Sequence, residues 1–181
     1  MYLCRPTKEV LKNWKTLLAQ DTPDSLAGLK EELDKLNLSS EPELEDLLWD
    51  YTRLFIGPYK LPCPPWESVY TSPKRLMMQE AYEAVQDFYE EAGLALDNPD
   101  IMADHIGAEL NFLAVLCEKM KNEPDKKDYY MKMTQRFLDE HPRQWIPQFT
   151  SDLENAANFE FYKALARVTR DLIITANNYY K

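Results

Sequence analysis

Glycine is almost missing from this chain, with four in 181 residues, Gly28, Gly57, Gly93 and Gly107. So few leave little room for a glycine-rich phosphate cradle, and neither GxGxxG nor GxxxxGK[ST] occurs. Histidine is scarcer, with two residues, His105 and His141, and no HExxH pair. The three cysteines, Cys4, Cys63 and Cys117, are odd in number, far apart and without CxxC spacing. That suggests neither a disulfide framework nor a zinc site. Long apolar runs are also lacking. The longest, Phe112–Cys117, is far below the roughly 20 residues that cross a bilayer. The opening MYLCRPTKEV has no apolar core behind a basic stretch. These absences lead to the expectation of a soluble cytoplasmic protein with no stable membrane insertion, no metal and no cofactor of its own.

Positive charge is in short supply too. Acidic residues outnumber basic ones by 31 to 21, a formal charge of −10. Nucleic acid is disfavoured, because phosphate neutralisation needs a basic face. A basic peptide is the natural opposite, although such a charge also serves solubility alone.

What the chain does have is helical periodicity in most segments. Thr7 is placed to cap a first helix, and Asp21 or Thr22 with Pro23 a second. Ser40 and Pro42 open a third helix that Gly57-Pro58 ends. A long helix is expected from Ser72-Pro73 to Gly93, with Leu76, Met77, Ala81, Val85, Phe88 and Tyr89 among its apolar positions. Asn98-Pro99 opens the next region, where Ile101, His105, Ala108, Phe112 and Val115 share a helical face. A helix from about 125 to 140 should stop at His141-Pro142. A short turn with Trp145, Ile146 and Pro147 precedes the last helix. No repeat or low-complexity linker divides the chain. The expectation is an all-α single domain over residues 1–181, a helical bundle with a long proline-rich connection. Residues 1–38 form a loosely attached helical hairpin in this reading.

The proline-rich connection is Tyr51–Tyr70, YTRLFIGPYKLPCPPWESVY. It sets Phe55, Ile56, Tyr59, Leu61, Trp66, Val69 and Tyr70 on a backbone stiffened by Pro58, Pro62, Pro64 and Pro65. Proline fixes φ and removes a donor, so the segment is expected to be irregular. Its large side chains must plug a core or line a groove. The other polar cluster is Asp104-His105-Ile106-Gly107-Ala108-Glu109. His105 and Glu109 are four apart and can share a face. Asp104 suits a positive helix end. Spacing alone leaves two readings open, a capping Asp beside a core histidine, or a charged spot at a groove edge.

Taken together, Leu54-Phe55-x-Gly57-Pro58, Pro64-Pro65-Trp66-Glu67-Ser68-Val69-Tyr70 and Asp104-His105-Ile106-Gly107-x-Glu109-Leu110 resemble the TorD/DmsD/NarJ family of molybdoenzyme assembly chaperones. Order and spacing both agree. The resemblance continues through His141, Trp145-Ile146-Pro147 and Phe161-Tyr162-x-x-Leu165-Ala166. The chain departs from the family at Ala103, where proline is usual, and at Cys63, where alanine is common. The resemblance implies an all-helical protein without a catalytic site. It would bind the twin-arginine signal peptide and apo-form of a molybdopterin-containing oxidoreductase, delaying export until the cofactor is inserted. It also implies peptide recognition through Asp104, His105, Pro64, Pro65, Trp66, Glu67, Ser68 and Tyr70. Phe55, Gly57, Pro58, Pro64, Pro65 and Gly107 then belong to the structural motif.

The chemistry fits that expectation. Glu67, Asp104 and Glu109 could hold arginines through charge-assisted bonds, and Trp66 and Tyr70 could receive an apolar stretch. Three or four apolar anchors at about 1.5–3 kcal/mol each would support micromolar binding after ordering costs. Two other readings stand beside it. One is a nucleotide-binding or nucleotide-hydrolysing enzyme, since weak guanine-nucleotide binding is associated with some family members. The other is a permanent accessory subunit of a reductase. The expected state is a monomer, with a domain-swapped dimer as the variant a long hinge permits.

Overall fold

The computed structural model describes residues 3–20, 22–58, 60–96 and 101–179, with 177–179 described by backbone alone. Nine α-helices and two short 3-10 turns account for the regular structure among these residues, and no β-sheet occurs. The all-α expectation is borne out. The described residues fall into two compact units. Leu3–Pro64 and Phe149–Leu172 make up one, and Pro65–Gln148 with the chain from Ile173 onward makes up the other.

In the first unit α1 (Lys8–Leu18) is capped by Thr7, whose hydroxyl accepts the Val10 N–H at 3.2 Å. The expected second cap fails for a local reason. Thr22 turns its hydroxyl back to the Leu18 carbonyl, so it closes α1 instead of opening a helix. Asp21, the other proposed cap, lies outside the described residues. A 3-10 turn, Asp24–Leu26, then leads into α2 (Ala27–Lys35). Ser40 caps α3 (Glu41–Phe55) as expected. Leu11, Leu29, Leu33 and Leu36 of the hairpin are buried, and the Trp14 ring meets the Phe161 edge at 6.0 Å. Buried Asp50 accepts the Asn158 and Phe159 N–H groups at 2.9 and 3.2 Å, just ahead of the last helix. Phe55, a predicted motif residue, stacks its ring against Tyr51 and Tyr162. Gly57 donates to the Thr52 carbonyl at 2.7 Å, closing α3, while Pro58 is exposed.

The second unit departs from expectation in four places. The proline-rich segment is not irregular to its end, because Glu67–Thr71 form the short helix α4. The expected long helix from Ser72 is only α5 (Glu80–Glu91). Side-chain bonds explain the delay, as Ser72 Oγ accepts the Leu76 N–H and the Gln79 amide donates to the Met77 and Met78 carbonyls. Arg75 and Met78 also adopt left-handed φ of 53° and 55°, which no helix accommodates. Leu76 and Met77, read as apolar positions of that long helix, precede α5 and are exposed. The third departure concerns Ile101 and His105, which precede α6 (Ile106–Asn122) instead of lying on it. Asn98-Pro99 lies outside the described residues.

After α7 (Lys127–Glu140), Trp145, Ile146 and Pro147 fall inside α8 (Pro142–Ala156) and not in a separate turn. Pro142 starts that helix at the position where a missing N–H costs nothing, so His141 alone forms the break. The last helix is α9 (Glu160–Tyr179). The core of this unit is aromatic, with Phe88, Phe112 and Phe137 in mutual ring contact at 4.6–6.4 Å.

α5 ends at a left-handed glycine. Gly93 has φ 66° and donates to the Glu90 carbonyl, and Leu94 donates to Tyr89. Gly93→Ala should therefore cost about 1 kcal/mol from conformation alone, because its added Cβ meets nothing. Gly28→Ala, within α2 and equally free of neighbours, should gain about 0.5 kcal/mol. Paired urea denaturation curves would check the opposite signs.

Candidate functional site

The two motif segments meet in the second unit. Pro65, Trp66 and Glu67 run antiparallel to Asp104, His105 and Ile106 as an isolated β-bridge. Glu67 N–H donates to the Asp104 carbonyl at 2.9 Å, and Ile106 N–H to the Pro65 carbonyl at 3.0 Å. Proline supplies no donor, so Pro65 can only accept here, and its carbonyl is used.

Asp104 then does more than join strands. α4 begins at Trp66, whose side chain cannot cap. Asp104 Oδ2 accepts both the Ser68 N–H at 3.0 Å and the Ser68 hydroxyl at 2.5 Å, so the cap comes from a distant carboxylate. Ser68 Oγ in turn accepts the Gln79 N–H at 3.3 Å. The capping reading of Asp104 is right in kind, but the helix it caps is α4. α6 is capped by His105, whose Nδ1 accepts the Gly107 N–H at 3.0 Å. Burial pushes the His105 pKa down to about 4, so the ring is neutral and Nδ1 is free to accept.

Below this bridge lies a polar network. His141 Nδ1 meets Glu67 Oε2 at 2.9 Å. Trp145 Nε1 donates to both Glu109 oxygens at 3.0 and 3.2 Å. Burial first, and the Glu67 charge second, hold the Glu109 carboxyl well above the usual range. Glu109 therefore keeps its proton and shares it in a hydrogen bond with Glu67. The line Trp145–Glu109–Glu67–His141 fastens α4, α6 and the α7–α8 junction together.

The predicted site residues thus divide by depth. Glu67, Ser68, Asp104 and Glu109 are buried and bonded internally, and in this conformation none presents a free carboxylate to a peptide. Trp66, Tyr70, His105 and Gly107 are half-buried. The Trp66 and His105 rings touch edge-on at 6.0 Å, and Tyr70 lies 5.4 Å from Trp145 under the Arg75 guanidinium. Cys63, in the first unit, is fully buried with its thiol pushed up to about 12 by burial, which denies it thiolate reactivity.

Sequence reasoning placed His141 at a helix stop and Trp145 in a turn, and carried both in the family resemblance without giving either a site role. Their four-residue spacing, once α8 is recognised, was the signal that both turn inward. It also missed a cleft of about 710 Å³ beside α4, lined by Glu67, Thr71, Ser72, Gln79, Glu80, Asp139, Glu140 and His141 among others.

A likeness of TM-score 0.66 to a solved structure from Archaeoglobus fulgidus defines the class of fold. That protein is provisionally described as a redox enzyme maturation protein, is 22% identical, and matches over 94% of this chain and 86% of its own. The particular family follows from sequence. Residues 15–151 match the nitrate reductase delta subunit family, and the chain belongs to it. Among its relatives are the probable Tat proofreading chaperone DmsD of Haemophilus influenzae, 35% identical over 69% of this chain, and that of Salmonella typhi, 30% identical over 70%. The chaperone protein TorD of Aliivibrio salmonicida is 27% identical over 88% of the chain. The resemblance read from the motifs is borne out. The chain spans 57% and 58% of the two DmsD proteins and 80% of TorD.

Asp104→Ala leaves the Ser68 N–H and hydroxyl without their acceptor, and should cost about 1.5–3 kcal/mol in denaturant titration. Glu109→Gln keeps an acceptor for Trp145 and a donor for Glu67, so it should melt no lower than wild type at pH 7. A carboxyl with a raised folded pKa loses its stabilising contribution as pH climbs above about 4.5. The variant should therefore lack that loss. His105 runs the other way. Its folded pKa lies below the ordinary 6.5, so its contribution is present above 6.5 and fades as pH falls toward 4. An NMR titration midpoint near pH 4 is the expected reading.

Proposed function

We propose that this protein is an assembly chaperone that binds the twin-arginine signal peptide and apo-form of a molybdopterin-containing oxidoreductase in the cytoplasm, before export. The observation that carries the reading is the meeting of its two family motifs in one β-bridge. That bridge leaves Trp66 and His105 side by side and half-exposed over a rigid buried network. Relatives named as Tat proofreading chaperones support it.

Within this reading the motif residues take two roles. Trp66, Tyr70 and His105 meet the peptide. Glu67, Ser68, Asp104 and Glu109 hold those three in place through α4 and α6. The exposed side chains of Leu76, Met77 and Met78, on the loop after α4, add an adaptable apolar surface for the peptide's hydrophobic stretch. No helix among the described residues is long and apolar enough to cross a membrane. The cleft lining carries acidic groups and, among the described residues, no lysine or arginine, which suits a basic peptide better than a nucleotide's phosphates. The protein acts by binding and release, not by turnover, and as a monomer.

Calorimetric titration with a twin-arginine signal peptide tests the proposal. Micromolar binding is expected, weakened about tenfold by Trp66→Ala or His105→Ala in folded protein. Unchanged affinity in both variants would remove the site assignment. Nucleotide turnover that survives purification and dies with one point change would overturn the non-enzymatic reading.

A further inference from the structure

Methionine sulfur is placed very unevenly in this protein. Met133 is buried at 3%, and Met102, Met120 and Met131 are half-buried. Among the described residues only Met77 and Met78 are exposed methionines, at 44% and 59%, and they are neighbours in the chain. Both lie in the loop between α4 and α5, next to exposed Leu76.

The backbone of this pair is held, and its side chains are on display. The Gln79 amide donates to the Met77 and Met78 carbonyls at 2.9 and 3.1 Å. Those bonds use backbone oxygens, so a chemical change at either thioether leaves them intact. In the core an added oxygen would disrupt packing, as it would at Met133. The loop pair can take up oxygen with no such loss of fold.

A peroxide supplies that oxygen. The sulfur lone pair attacks one peroxide oxygen, and the S–O bond forms as the O–O bond breaks. The leaving hydroxide takes the proton of the transferred oxygen and departs as water. Sulfur gives up two electrons and the peroxide accepts them. The product is a sulfoxide, polar where the thioether was apolar, and enzymatic reduction reverses it.

We propose that Met77 and Met78 are a paired oxidation site, where sulfoxide formation by a peroxide removes the apolar surface of this loop and weakens peptide binding. The effect on binding rests on the signal-peptide reading, whereas the choice of these two sulfurs does not.

The test treats folded protein with limiting hydrogen peroxide and then with dithiothreitol. The second step reverses disulfides and sulfenic acid at exposed Cys117 and leaves sulfoxides in place. Peptide mapping by mass should find oxygen on Met77 and Met78 before Met102, Met120, Met131 or Met133, with the melting temperature unchanged. Calorimetry should then show a twin-arginine signal peptide bound about tenfold more weakly. Methionine sulfoxide reductase should restore the affinity. In the double variant Met77→Leu with Met78→Leu, the affinities before and after peroxide should be equal. Oxygen entering the other methionines first would overturn the site. So would undiminished affinity once the pair is oxidised, or an equal fall in the double variant. Untreated protein that binds no signal peptide rejects the chaperone reading and the binding effect with it. The order of oxygen uptake then decides the oxidation site alone.

Discussion

Everything in the second unit's motif region hangs on the short antiparallel pairing of Pro65–Glu67 with Asp104–Ile106. Two backbone bonds would be a weak tie alone. The Asp104 carboxylate makes it directional by capping α4 through Ser68. A five-residue helix has almost no stability of its own, since nucleation is unfavourable and few bonds follow. α4 therefore exists because position 104 supplies what Trp66 lacks. In return the helix carries Glu67 into the interior and leaves Trp66 at the edge.

The interior that Glu67 enters is polar where a core is usually apolar. A second acid, Glu109, sits beside it, and two carboxylates cannot both ionise there. Burial and the Glu67 charge keep Glu109 protonated, and Trp145 and His141 occupy the outer ends of the line. Such a network adds little net stability over an apolar packing. Its geometric demands are strict, however, and they set the α7–α8 junction against α4. The same arrangement commits His141 Nδ1 to Glu67 beside an acidic cleft.

Helix content was readable in the sequence because apolar spacing and capping residues declare it. Thr7, Ser40 and Gly93 act as their types predict. The misplaced boundaries share a cause, which is that the deciding bond was made by a side chain to something other than its own helix. Thr22 closes the helix before it, Ser72 and Gln79 fold a loop, and Asp104 caps across the motif junction. The motif residues were legible as a group, but their depth was not. Glu67, Asp104 and Glu109 looked like surface acids since charge favours exposure, and only their mutual contacts reveal the buried use. His141 was hidden by its position at a break, where a proline neighbour gave sufficient reason for it to be there.

The loop after α4 has a consequence of its own. Arg75 and Met78 hold left-handed backbone within four residues, where L side chains sit about 1–3 kcal/mol above their preferred states. Its anchors are few and local, at Ser72 and Gln79. A strap tethered at both ends and uncomfortable in the middle yields before the helices around it do.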